Sequence, residues 1–177
     1  MTRPDQKRIQ GSEYVGDDGS ADPAVTSVLA RFAEGAASYP EALALLAGAR
    51  VLVPVVALLG EVEHGDDGLA RDKSSDMAAV LLTGADGRTA LLAFTSTDTL
   101  TGWDPAARPV PVACRLAAAT AVQEGAAALV VDVAGPARFV VEGDDLHRLA
   151  AGWRPVRLED GGWAWLGADF PDGEQTR

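Results

Sequence analysis

The sequence is poor in the side chains that nucleophilic catalysis and zinc binding depend on. It has one cysteine, Cys114, and two histidines, His64 and His147. A single cysteine excludes an internal disulfide and a cysteine-based zinc site. A histidine base needs a positioned partner, and no motif supplies one beside either histidine. We therefore expect structural roles for all three residues, with Cys114 a small hydrophobe at the end of a buried strand.

Long apolar runs and basic clusters are missing as well. No run approaches the ~20 residues needed to cross a bilayer, and the N-terminal stretch MTRPDQKRIQGSEY lacks the apolar segment of a secretory signal. The formal charge is −11, from 26 acidic and 15 basic residues. Nucleic acid and anionic membranes are therefore disfavoured partners. These features predict an acidic, cytoplasmic protein of one domain.

What is present is organised around residues 77–99, which predict a β-hairpin followed by a capped helix. Two apolar runs flank the turn Gly84-Ala85-Asp86-Gly87, so strands are expected near residues 78–82 and 89–94. The second run ends at Phe94 and leads into hydroxyl side chains beside Asp98. Serine, threonine and aspartate at such a position are typical of a helix N-terminus.

The rest of the chain alternates between helical and strand patterns. Helices are predicted after Asp22-Pro23, after Ser38, and at residues 115–124 and 144–150. Strands are predicted at residues 50–59, 110–114, 127–133 and 138–141, with a closing hairpin at 153–158 and 163–166. Pro54 removes one ladder donor, so we expect a sheet edge or a bulge there. Together these patterns predict an α+β fold, a single domain with a mixed parallel/antiparallel sheet packed by helices.

The two ends and one internal loop are polar. Residues 1–21 contain little to bury and predict a disordered tail; residues 22–166 form the domain with its C-terminal hairpin, and residues 167–177 a flexible tail. The loop at residues 60–76 is long for a compact domain. Its oxygens could ligate a hard cation, although their order does not match an EF-hand. A solvated loop is the favoured interpretation.

The order of several short motifs resembles a known family. The motifs are a VLVPV strand at residues 51–55, Met77, Asp86-Gly87-Arg88, Phe94-Thr95-Ser96, Trp103, and Gly135-Pro136 with Phe139. Over roughly residues 24–151 this order resembles the N-terminal domain of the bacterial SseB family, named for an enhanced serine sensitivity phenotype. The alanine-rich composition is typical of actinobacterial members. We expect this chain to depart from the family pattern by its long acidic loop at residues 60–76 and by lacking the second domain of some relatives. The resemblance implies no catalytic residues, because the family has no established activity.

Two polar features could form a site. Residues 95–99 lie where a strand leads into a helix, where open backbone N–H groups can hold an anion; the simpler interpretation is that their hydroxyls cap the helix. Asp132 lies near the carboxyl end of an apolar strand, where open α/β sheets place ligands. It could equally cap the following turn.

The leading hypothesis is a non-catalytic protein, with no cofactor or metal, that binds another protein. Its contact surface would be formed either by Phe94, Thr95, Ser96, Trp103 and Asp132, or by the hairpin that bears Trp153, Trp163 and Trp165. The tryptophans could also simply close over the core. The alternative is a small-molecule-binding protein or enzyme that uses Asp132 and residues 95–99 in one cleft. That alternative requires Asp132 and Ser96 to share a ligand. The partner and the oligomeric state are left open.

Overall fold

A computed structural model of the chain describes residues 14–57 and 77–167. This part of the chain contains helices and strands in alternation. In chain order they are α1 (Pro23–Ala33), α2 (Tyr39–Ala47), β1 (Arg50–Ala57), β2 (Met77–Ala79), β3 (Leu81–Thr83), β4 (Thr89–Ala93), α3 (Thr97–Trp103), β5 (Arg108–Ala113), α4 (Cys114–Gln123), β6 (Ala128–Val131), β7 (Phe139–Glu142), α5 (Gly143–Ala150), β8 (Arg154–Arg157) and β9 (Trp163–Leu166). No helix in the described ranges is long and apolar enough to span a membrane.

Helices α1 and α2 begin where the sequence predicts. The carboxylate of Asp22 accepts a hydrogen bond from Ala24 N at 2.7 Å, and Pro23 occupies the first helical position. Ser38 Oγ accepts from Glu41 N at 3.4 Å. The Glu41 side chain does not complete a capping box; it binds Arg31 of α1 at 2.9 Å instead, which ties the two helices together.

The strands form a mixed arrangement, as the sequence predicts. One sheet has the order β2-β1-β5, a second has the order β3-β4-β6-β7, and β8 pairs with β9. Neighbouring strands are antiparallel except β4 and β6, which are parallel. Two backbone hydrogen bonds of 2.8 Å between Leu52 and Phe94 join the first two sheets. The mixed α+β fold is therefore confirmed, and so is a hairpin before α3. Its predicted first strand at residues 78–82 is divided at Val80, because residues 77–79 pair with β1 and only residues 81–83 pair with β4.

The prolines lie where a missing N–H does least harm. The carbonyl of Pro54 accepts from Val80 N at 3.1 Å, at the point where β1 changes partner from Phe94 to β2. Successive residues of a strand direct their backbone N–H and C=O groups to opposite sides. Because Leu52 bonds to Phe94 on one side of β1, the residues that bond to β5 on the other side are Val51, Val53 and Val55. In that register Pro109 and Pro111 of β5 direct their nitrogens away from β1, toward the outer edge of the sheet.

Two apolar cores lie on opposite faces of the strands. The larger core packs α1, α2, α4 and α5 against one face and includes Leu91, Leu129 and Phe139. The smaller core consists of Leu52, Leu92, Phe94 and Leu100, with α3 and Trp103 over it. The end of β4 and the start of α3 therefore lie at the boundary between the two cores.

Several expectations fall on other parts of the chain. Residues 58–76, including His64 and the acidic loop, lie outside the described residues, as do residues 1–13 and 168–177. The last part of the predicted disordered tail, residues 14–21, lies within the described residues. These residues make specific hydrogen bonds to β1 and α3, through the partly buried side chain of Arg50 and the backbone N–H of Thr97.

Candidate functional site

The hydroxyl side chains after β4 cap helix α3. Ser96 is the N-cap residue; its Oγ accepts from Thr99 N at 3.1 Å, while Thr99 Oγ1 accepts from Ser96 N at 3.3 Å. This is a capping box in which threonine takes the place of the usual glutamate or glutamine. Two backbone N–H groups at the helix start are thus satisfied by side chains, which is the simpler of the two sequence interpretations.

Asp132 lies directly after β6, and its side chain accepts hydrogen bonds from Thr95, the residue that follows Phe94. Its Oδ1 accepts from Thr95 N at 2.9 Å, and its Oδ2 accepts from Thr95 Oγ1 at 2.7 Å. β4 and β6 are parallel neighbours, so their carboxyl ends lie side by side. Asp132 is only 5% exposed and Thr95 6%. A buried carboxylate needs such donors, because desolvation without hydrogen bonds would be costly.

The backbone around Asp132 is shaped for this contact. Asp132 is the one non-glycine residue with a positive φ, +51°, among those that the structure describes. Aspartate tolerates this left-handed conformation better than most residues. Gly135 N donates to the Asp132 carbonyl at 2.8 Å, and a Cβ at Gly135 would lie 3.0 Å from the Asp132 Cβ. The Gly135-Pro136 turn therefore needs glycine for close backbone approach.

Arg50 extends the contact to the first residues of the described chain. Its Nη1 donates to the Thr95 carbonyl at 2.9 Å, its Nη2 donates to the Ser20 carbonyl, and its Nε pairs with Asp17 Oδ2 at 2.6 Å. The Arg50 and Asp17 side chains are 13% and 15% exposed. The result is a continuous polar network from Asp132 through Thr95 and Arg50 to Asp17.

We call residues 14–21 the N-terminal strap. Besides its bonds to Arg50, the strap is fixed by Thr97 N, which donates to the Gly19 carbonyl at 2.8 Å. Gly19 has a φ of +77°, and a Cβ there would lie 2.0 Å from Thr97 Oγ1. Glycine is thus required at this position by both conformation and space. The strap crosses the junction between β4 and α3.

The network has the geometry of a structural clamp. A hydroxyl and a carboxylate 2.7 Å apart could in principle form an activated nucleophile and its base. Here, however, the second oxygen of Asp132 accepts the amide of the same residue, Thr95. The carboxylate therefore fixes the backbone of Thr95, whose carbonyl is then held in place for Arg50.

The structure brings together some of the predicted site residues and buries most of them. Asp132 contacts Thr95, but the hydrogen bonds of Ser96 go to Thr99. Phe94 is fully buried and Ser96 is 7% exposed. Trp103 is half-buried, with its ring 5.5 Å from that of Phe94. The surface predicted from Phe94, Thr95, Ser96, Trp103 and Asp132 is therefore not an exposed one.

Neither the Cys114 thiol nor the His147 imidazole lies in surroundings that would make it reactive. Cys114 begins α4 in the larger core, and burial raises the pKa of its thiol to about 12. His147 is exposed on α5. Within residues 14–57 and 77–167, no group of three or more His, Cys, Asp or Glu side chains is arranged to hold a metal ion.

Comparison with known protein families gives one match for this chain. The family model described as SseB protein N-terminal domain matches residues 25–148. The chain belongs to the SseB family. Arg50, Thr95 and Asp132 all lie within the SseB domain, whereas the N-terminal strap and the C-terminal hairpin lie outside the matched residues. Neither the comparison with curated proteins nor the comparison with solved structures finds a match.

The C-terminal hairpin adds aromatic side chains to the SseB domain. Trp165 packs against the larger core, and the guanidinium of Arg148 lies 5.6 Å from its ring centre. At the other end, the guanidinium of Arg157 lies 5.8 Å from the ring of half-buried Trp163. Trp153 and Leu158, which flank β8, are each 43% exposed. The hairpin is thus anchored on the core through Trp165, and Trp153 and Leu158 lie exposed at the two ends of β8.

Sequence reasoning missed Arg50 and the strap. A signal was available, because Arg50 opens an otherwise apolar strand of the SseB domain, and a charge there needs partners. The Asp-Asp-Gly segment at residues 17–19 offered both a carboxylate and a glycine. What the sequence could not supply is the proximity of these two segments, which are thirty residues apart.

Proposed function

We propose that the chain is a non-catalytic protein-binding module and that its contact surface is the C-terminal hairpin. The observation that carries this proposal is the exposure of Trp153 and Leu158, 43% each, beside the exposed arginine Arg157. Tryptophan and arginine are enriched among the residues that dominate binding energy at protein interfaces. The charge of −11 disfavours nucleic-acid and anionic-membrane partners, and the setting that we propose is the bacterial cytoplasm.

The hairpin is well supported from beneath, which favours binding. Pro155 is buried, and β8 packs against α2. Trp165 on β9 contacts the larger core. A surface held on a rigid support loses little conformational entropy when a partner binds. The exposed side chains of Trp153 and Leu158 would then contribute burial of apolar area at the interface.

The small-molecule alternative has less support. It needs Asp132 and Ser96 at one ligand, but the Asp132 carboxylate is engaged by Thr95. A groove of about 420 Å³ lies elsewhere, between β1, β2, β5 and helix α4. Its lining includes Val53, Val110 and Leu116 and contains no member of the Asp132 network.

The test compares two doubly substituted chains. Trp153→Ser with Leu158→Ser removes the apolar groups of the hairpin. Leu81→Ser with Leu82→Ser is the matched control, since these leucines of β3 are 36% and 41% exposed and lie outside both the C-terminal hairpin and the groove. Proteins captured from a native lysate by the wild-type chain should be lost from the first variant and kept by the second. Capture that survives in the hairpin variant would contradict the proposal, as would a metabolite that raises the Tm while no protein co-purifies.

A further inference from the structure

The N-terminal strap occupies a place that has the features of a peptide-recognition site. We propose that Arg50 is the centre of a receptor for an acidic Asp-x-Gly segment of a partner protein, and that residues 17–20 of this chain fill that receptor in cis. This inference goes beyond the hairpin surface, because it concerns Arg50 and the strap and does not depend on the hairpin. The strap would act as an intramolecular competitor of the partner.

The bound strap shows which features the receptor recognises. The first position requires a carboxylate, because Asp17 Oδ2 pairs with Arg50 Nε at 2.6 Å. The third position requires glycine, because a Cβ on Gly19 would lie 2.0 Å from Thr97 Oγ1. The carbonyls of Gly19 and Ser20 accept from Thr97 N and Arg50 Nη2. A charge-assisted pair together with backbone hydrogen bonds is a common basis for recognition of extended peptides.

The receptor is held in place by groups other than the strap. Arg50 Nη1 donates to the Thr95 carbonyl at 2.9 Å. Thr95 is in turn fixed by both oxygens of Asp132. The guanidinium therefore keeps its orientation when the strap leaves, and such preorganisation lowers the entropic cost of binding a segment in trans.

The strap itself is well suited to leave. Val15 is 90% exposed, and the two cores contain no side chain from residues 15–21 among the described residues. The strap's contacts to Arg50 and Thr97 are polar, and a segment that adds few side chains to the apolar cores opens at lower free energy than the core. While seated, the strap competes at an effective concentration on the order of millimolar. A partner segment with weaker affinity is therefore excluded until the strap opens.

The experiment uses full-length variants and one synthetic probe. Gly19→Val unseats the strap and leaves Arg50 untouched, while Val15→Ala changes the strap without affecting its contacts and serves as the control. The probe is a fluorescent peptide of residues 14–21, YVGDDGSA, and a second peptide carries Asp17→Asn. We expect the Gly19→Val chain to bind the probe at least ~10-fold more tightly than wild type or Val15→Ala, because the competitor is removed. The asparagine peptide should bind ~10-fold more weakly than the probe, since the ion pair is lost.

Hydrogen exchange supplies the second readout. The Thr97 amide, which donates to Gly19 in the seated strap, should exchange at least ~10-fold faster in Gly19→Val than in Val15→Ala. Asp17→Ala serves as a second unseated variant if Gly19→Val does not fold. The proposal is overturned if the probe fails to bind a folded, unseated chain, or if it binds wild type equally well. It is also overturned if the wild-type Thr97 amide exchanges only through global unfolding, or if wild type forms a dimer by exchanging straps.

Discussion

The buried carboxylate of Asp132 offers the sharpest test of the network at the end of β4. Asp132→Ala removes both acceptors, so Thr95 N and Thr95 Oγ1 would lose the bonds they make at 2.9 and 2.7 Å. Hydrogen bonds to a charged group contribute roughly 1.5–3 kcal/mol each, and Thr95 is too buried for water to replace them fully. We expect the free energy of unfolding to fall by about 3–5 kcal/mol. That is a large share of the ~5–15 kcal/mol typical of a domain.

Two further substitutions separate hydrogen bonding from charge and backbone strain. Asp132→Asn keeps an acceptor for Thr95 N and tolerates a positive φ, so it should cost only about 1 kcal/mol. Asp132→Gly loses the same bonds as alanine but adopts the φ of +51° freely, so it should be less destabilised than alanine by ~1 kcal/mol. Urea unfolding followed by tryptophan fluorescence measures all three. A loss below ~1 kcal/mol for alanine, or equal losses for alanine and asparagine, would refute the assignment of these bonds.

Three further predictions concern Gly135, Tyr39 and Cys114. Gly135→Ala would place its Cβ 3.0 Å from the Asp132 Cβ and should lower stability in urea by about 1–3 kcal/mol, whereas Gly102→Ala, with nothing within 4 Å of its Cβ, should not. Burial, with the nearby charges of Asp145 and Glu142, raises the pKa of Tyr39 from 10.0 to about 12. The unfolded chain loses the Tyr39 proton at lower pH than the folded chain, so the free energy of unfolding should fall as pH rises from about 10 to 12. Tyr39→Phe should flatten this fall when unfolding is measured as a function of pH. An unchanged slope in the variant would contradict the raised pKa. Cys114, whose pKa is raised to about 12 by burial, should resist thiol labelling at neutral pH until urea unfolds the chain, and rapid native labelling would show the thiol to be accessible.

The local elements could be predicted because their signals are local. The hairpin of β3 and β4 is specified by two apolar runs around a glycine-rich turn. The caps at Asp22 and Ser96 are specified by side chains within three residues of their backbone partners. The mixed sheet followed from the interleaving of such elements.

The site could be predicted only in part, because its contacts depend on the order of strands. Asp132 and Thr95 meet only because β6 lies directly beside β4, although α3, β5 and α4 separate these two strands in the chain. The sequences of β4 and β6 do not show that the two strands are neighbours in the sheet. The strap's own composition predicts a tail because its residues have little to bury, and its partner, the partly buried Arg50, belongs to another segment.

The prolines of β5 determine how this protein can meet other β-structure. β5 is an edge strand among those that the structure describes. The backbone nitrogens of Pro109 and Pro111 point outward from this edge and carry no amide hydrogen to donate. A chain that tried to extend the sheet from this side would find a broken ladder. The molecule is thereby protected on this side against stacking into fibres with its own copies, a hazard that a valine-rich strand would otherwise carry.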